Sequence, residues 1–157
     1  MEFRTAKKSD LKEIVCILAD DELGSKREKY EDPLPEAYYN AFSAMENQSG
    51  NQILLAIEDE TVIGCMQLTI IPGLAKLGMK RAQIEGVRVD KNYRGKKIGE
   101  ALFREAIAIS KSEGCGLVQL TTDKERIDAH RFYEKLGFTS SHEGMKLNLD
   151  EGSLSVL

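Results

Sequence analysis

The sequence predicts an α/β (α+β) fold: a three-layer α-β-α sandwich on a mixed, mostly antiparallel sheet. Two observations carry this reading. Two apolar runs, 51–57 and 61–71, are separated only by Glu58, Asp59 and Glu60, the pattern of a hairpin with an acidic turn. A strand-like run at 82–89, a helical pattern from 96 to about 112 and a short apolar run at 116–121 then give the order of one strand–helix–strand crossover. The 157 residues match one ordinary domain, in which roughly two-thirds of the unfolded surface is buried on folding. With only three prolines and no repeat or Pro/Gly/Ser linker, a single domain over 1–157 is expected.

The elements follow in order. Residues 2–5 read as a first strand. Ser9 is a candidate cap for a helix over 10–19, where Leu11, Ile14, Val15 and Leu18 form one apolar stripe. A break at 31–35 precedes a second helical stretch over 36–46, with Tyr38, Tyr39, Ala41, Phe42 and Met45. After the hairpin, a loop over 72–78 leads to the strand at 82–89 and a polar turn at 90–95. The following long helix carries Ile98, Leu102, Ala106 and Ile109 on one face and stops at Gly114. A helix with Ala129, Phe132, Tyr133 and Leu136, closed by Gly137, and a last strand over 142–149 complete the pattern.

Composition narrows the function. The chain is 41% hydrophobic and 31% charged with a mean hydropathy of -0.35, which excludes a disordered tail and a membrane protein. The start MEFRTAKKSD has charges where a signal peptide needs an apolar core, so a cytoplasmic location is expected. Cys16, Cys65 and Cys115 form no CxxC pair, and His130 and His142 are the only histidines, so no metal is expected. A net charge of -4 argues against nucleic acid as a partner. The charge is nevertheless uneven. Lys80, Arg81, Arg88, Lys91, Arg94, Lys96 and Lys97 face only Glu85 and Asp90 between 80 and 97, a candidate anion site.

The strongest motif is IEGVRVDKNYRGKKIGEAL, residues 84–102. A basic, glycine-bearing turn that opens onto a helix offers free backbone N–H groups and the positive end of the helix dipole, which together hold phosphate. The same residues also read as a solvated basic turn. Neither GxxxxGK[ST] nor GxGxxG is present.

VRVDKNYRGKKIGEAL followed by DAHRFYEKLGF resembles the GNAT superfamily of acetyl-CoA-dependent N-acetyltransferases, over essentially the whole chain. The resemblance implies a sheet splayed between strands 4 and 5, acetyl-CoA as co-substrate, and a pyrophosphate held by the turn Arg94, Gly95, Lys96, Lys97, Ile98 and Gly99. In the family signature Q/R-x-x-G-x-G/A, Lys97 stands where glycine is usual. It further implies that Val87, Arg88 and Val89 lie along the pantetheine arm; His130, a lone histidine three residues before Tyr133, reads as a surface or cofactor-side residue. Tyr133 would protonate the leaving thiolate. Glu85 would act as general base, directly or through water. Arg126 replaces a common asparagine contact. Each has a plainer alternative: core valines, a packed tyrosine, a surface histidine, and a Glu85 salt-bridged to Lys80 or Arg81.

The function so implied is transfer of an acetyl group to a primary amine of a small molecule in a ternary complex. The alternatives are a non-catalytic acyl-CoA sensor, or an acceptor that is a protein or peptide amine or an aminoalkylphosphonate. The latter would need Lys80 or Arg81 at the mouth. Between 20 and 36, seven acids (Asp20, Asp21, Glu22, Glu28, Glu31, Asp32, Glu36) face three bases, so a cationic amine is expected, with Tyr30, Tyr38 and Tyr39 as candidate cation–π partners. A homodimer is common in such proteins.

Overall fold

The computed structural model describes residues 1–149. They form two compact units, one over 1–120 and the other from Thr121 onward. In the first, β1 (Glu2–Thr5), β2 (Asn51–Glu58), β3 (Thr61–Ile71), β4 (Lys80–Val89) and β5 (Cys115–Leu120) make one sheet in the order β1-β2-β3-β4-β5. Pairing is antiparallel as far as β4 and parallel between β4 and β5. The β2–β3 hairpin turns on Asp59 and Glu60, both with positive φ (48° and 65°), as in a type I′ turn whose twist matches the flanking strands.

The helices are α1 (Leu11–Ala19), α2 (Gly24–Arg27), α3 (Glu36–Glu46), the single turn α4 (Ala75–Gly78) and α5 (Ile98–Ser112), with 3-10 turns at Lys8–Asp10 and Lys91–Tyr93. Ser9 does not cap α1; it lies inside the first 3-10 turn. Asp10 organises this corner instead. Its Oδ2 accepts the Lys7 N–H at 2.7 Å, and its two oxygens take a forked pair of bonds from Arg4 at 2.7 and 2.8 Å. The pair holds the Asp10 carboxyl below the usual carboxylate range, chiefly through the Arg4 hydrogen bonds. The turns α2 and α4 carry no periodic signal and were not expected; in α4, Lys76 and Leu77 are left-handed.

The sheet is covered on both faces. On one, Leu55, Ile57, Val62 and Cys65 pack with Leu11, Ile14 and Val15 of α1 and Phe42 of α3. On the other lies α5. A Cβ on Gly64 would come within 3.0 Å of Leu102 Cδ1 and 3.3 Å of Ile98 Cγ2, so glycine there lets the helix approach the sheet. Leu102 and Ala106 are fully buried, and truncating a leucine at such a place costs about 2–5 kcal/mol. Gly114, at φ 78°, ends α5 as expected.

The second unit contains α6 (Ile127–Lys135), closed by Gly137 at φ 94°. The expected strand over 142–149 is not formed. Met145, Leu147 and Leu149 do alternate as a strand would, but all three are exposed and pair with no described strand. Alternation states a preference; a ladder needs a partner.

Candidate active site

Strand β4 carries four of the predicted residues, Glu85, Val87, Arg88 and Val89, and its irregularity decides how they point. Gln67 pairs with Glu85 and Cys65 with Arg88, so Gly86 and Val87 stand together opposite Met66. This is a β-bulge, and Gly86 takes a left-handed φ of 58° within it. An unbroken strand, with its period of two, would have put Gln83, Glu85, Val87 and Val89 on one face. The bulge reverses the alternation. Glu85 shares its face with Gln83 and Arg88, on the α1 side, while Val89 pairs with Gly64 on the α5 side. The available signal was the glycine inside a strand pattern.

Pairing of β4 with β5 runs only from Lys80 to Ile84. From Glu85 to Val89 the strand continues without that partner, so the two strands part here. The carbonyl oxygens of Val87 and Val89 accept from Arg88 Nη1 (2.9 Å) and Arg94 Nε (3.3 Å). Glu85 is exposed, and neither Lys80 nor Arg81 binds it; Lys80 Nζ donates to the Glu113 carbonyl at 3.1 Å.

Beyond β4, Asp90 accepts from the Asn92 N–H at 2.8 Å and starts the 3-10 turn. Gly95 (φ 77°) and Lys97 (φ 61°, ψ 20°) are both left-handed. Lys97 is the residue before α5 and makes no side-chain cap, although its carbonyl accepts the Ala101 N–H at 3.0 Å. The first-turn N–H groups of Ile98, Gly99 and Glu100 therefore end the helix without an intrahelical acceptor. Lys96 Nζ lies 4.8 Å from the Tyr93 ring centroid.

Two acids at the end of α1, unremarked as partners in the sequence, organise the basic segment. Asp20 meets Lys91 Nζ at 3.4 Å and Arg94 Nη2 at 3.7 Å. Asp21 Oδ2 lies 2.8 Å from Arg88 Nε, a close charge contact in which the N–H is not aligned for a hydrogen bond. Of the other acids expected to form a negative rim, Glu22 meets Lys26, Asp32 meets Lys12, and Glu28 accepts from the Tyr38 hydroxyl at 2.6 Å. Five of the seven thus have internal partners. Tyr38 and Tyr39 pack on the core, and burial raises the Tyr38 hydroxyl above its ordinary range; Tyr30 stays about half exposed.

On α6, Tyr133 sits edge-on to Phe132 (5.5 Å) and Phe138 (6.1 Å). His130 Nε2 lies 3.2 Å from the Asp123 carbonyl, and Arg126 immediately precedes the helix. The three cysteines are free. Burial pushes the Cys65 thiol up to about 12, which removes it as a nucleophile at neutral pH. Among the described residues, no three His, Cys, Asp or Glu side chains cluster to hold a metal, and no helix is long and apolar enough to cross a membrane.

The architecture is a mixed α/β sandwich whose sheet opens beside the basic N-terminus of α5, which has no side-chain cap. Residues 15–138 match the model of the acetyltransferase (GNAT) family, and the chain belongs to that family. It is 38% identical over 88 residues to glucosamine 6-phosphate N-acetyltransferase of Trypanosoma brucei brucei, covering 56% of this chain and 58% of that one. To the aminoalkylphosphonate N-acetyltransferase of Salmonella typhimurium it is 30% identical over 107 residues, 68% of this chain and 69% of that one. The fold is similar to a transcriptional regulator from Bacillus halodurans C-125 (TM-score 0.90, 47% identity, 94% of this chain and 99% of that one).

Proposed function

We propose that this chain, acting as one domain in the cytoplasm, transfers an acetyl group from acetyl-CoA to the primary amine of a small molecule. The observation that carries the reading is the parting of β4 from β5 directly before the uncapped N-terminus of α5, in a chain of this family. The pyrophosphate would rest on the amides of Arg94 to Gly99, with Lys96 and Lys97 supplying charge. The β4 edge at Val87, Arg88 and Val89 would take the pantetheine arm, and His130 would lie on the cofactor side. Acetyl-CoA supplies an acyl carbon already activated as a thioester.

The residues then need only manage protons. Glu85, exposed on β4 and bound to neither Lys80 nor Arg81, takes a proton from the acceptor ammonium, directly or through water. Tyr133 Oη returns one to the departing sulfur; an ordinary phenol titrates at about 10 and a thiol at about 8.5, so the transfer is modestly uphill. No protein nucleophile is required, in keeping with the inert Cys65.

Calorimetric titration with acetyl-CoA, paired with thiol release across an amine panel, tests this. Binding lost in folded Gly99→Glu and release with at least one small amine are expected. Binding unchanged by Gly99→Glu refutes the phosphate placement, and binding without release for any amine marks an acyl-CoA sensor.

A further inference from the structure

The register of the sheet brings together a row of polar side chains that the cofactor reading does not use. Asn51 pairs with Thr69, Thr69 with Gln83, Gln67 with Glu85, and Gln83 with Gln119, so all six share one face. It is the face whose other half carries the α1 and α3 core. The row is internally bonded: Gln119 Nε2 donates to Gln83 Oε1 at 2.7 Å, and Gln67 Nε2 to Asn51 Oδ1 at 3.0 Å. Helices α1 and α3 bury the apolar half, while Glu85 and Gln119 are exposed and the rest are half-buried.

Arg81 extends this row. It pairs with Ile71, two positions from the Thr69–Gln83 pair, and so lies on the same face. Its Nη1 stands 3.6 Å from where a Cβ on Gly73 would be, against the loop that follows β3. The other two arginines on the strands each hold a carboxylate, Arg4 with Asp10 and Arg88 with Asp21. Arg81 has none among the described residues. A half-buried guanidinium without a carboxylate is a planar fork suited to an oxyanion.

Along β4 the order is therefore cation, carboxamide, carboxylate: Arg81, Gln83, Glu85. The ends are about 13 Å apart at their Cα atoms, from a rise of roughly 3.3 Å per residue. We propose that Arg81 receives an anionic group of the acetyl acceptor, which is a small amine that also carries a phosphate, phosphonate or carboxylate. This rests on the acetyltransferase reading above. With the guanidinium leaning toward the Gly73 loop, Glu85 reaches the amine through water, and Gln83 with its neighbours lines the space between. A purely cationic amine finds Arg81 opposed to it, and two of the acids once expected to attract it, Asp20 and Asp21, meet Arg88, Lys91 and Arg94 instead.

Matched amines test the assignment: glucosamine 6-phosphate against glucosamine, and 2-aminoethylphosphonate against ethanolamine. Thiol release should favour the anionic member of at least one pair. Arg81→Gln should reduce the anionic-to-neutral ratio of kcat/KM roughly ten- to a hundredfold, mainly through KM, with partial recovery in Arg81→Lys. A ratio that Arg81→Gln leaves unmoved, or a preference for the neutral members, overturns the proposal and leaves the acetyltransferase reading intact. Calorimetry of 2-aminoethylphosphonate on the coenzyme A-loaded protein separates the two. Arg81-dependent binding without thiol release sustains the anion site and defeats the activity; absent binding and absent release defeat both.

Discussion

Glu85 and Arg88 lie on the same face of β4 although they are three residues apart. Gly86 makes this so by absorbing a left-handed φ of 58° in the bulge. The candidate base thereby faces the α1 side, and Val89 faces α5.

Substituting Gly86 tests the bulge. No atom lies within 4 Å of a Cβ placed there, so Gly86→Ala meets strain and not a clash. A loss of about 1–2 kcal/mol in denaturant unfolding is expected, the ordinary penalty for a left-handed L-residue. An unchanged midpoint would show that the strand reaches its register without the left-handed glycine.

Lys97→Gly should have two opposite effects. Relief of the left-handed backbone at φ 61° raises stability by about 0.5–1 kcal/mol. Loss of the cation weakens acetyl-CoA binding by roughly two- to fivefold and flattens its salt dependence. Tighter binding in the glycine variant would mean that the lysine crowds the phosphate.

Tyr133→Phe keeps the edge-on ring packing and removes only the hydroxyl. Turnover should drop by roughly ten- to ten-thousandfold where chemistry limits the rate, with acetyl-CoA affinity nearly intact. Full turnover returns Tyr133 to a packing role.

Glu85→Gln should flatten the acidic limb of the pH profile of kcat/KM, because protonating a carboxylate base is what produces that limb. A limb that survives the substitution assigns it to another group.

Asp10 gives a pH signature in stability. Its folded carboxyl titrates below its unfolded one, so it stabilises the protein above the unfolded value near 3.8 and that contribution is lost as pH falls through the folded value. Asp10→Asn should cost about 1–3 kcal/mol at pH 7, as the Arg4 fork and the Lys7 bond are weakened. The gap from the parent protein should close in acid melts below pH 4. A gap independent of pH would make the loss one of shape and not of charge.

Periodicity by itself determined β1, β2, β3, α3, the bulk of α1, α5 and α6 and the helix stops at Gly114 and Gly137, because these depend on local repeats and on the backbone freedom of single residues. The basic segment with its RGKKIG turn was equally legible, since an N-terminus of a helix is announced by its own sequence. Three things were decided only in the folded chain. The face of Glu85 depends on a register shift that costs one residue of pairing with β3, and alternation cannot count an extra residue it does not see. Asp20 and Asp21 of the acidic stretch over 20–36 turn to the basic segment, reaching Lys91, Arg94 and Arg88 some seventy residues away. Arg81 meets no carboxylate among the described residues for the converse reason. Which charges meet is fixed by distances between elements, and those are set when the sheet and its helices pack.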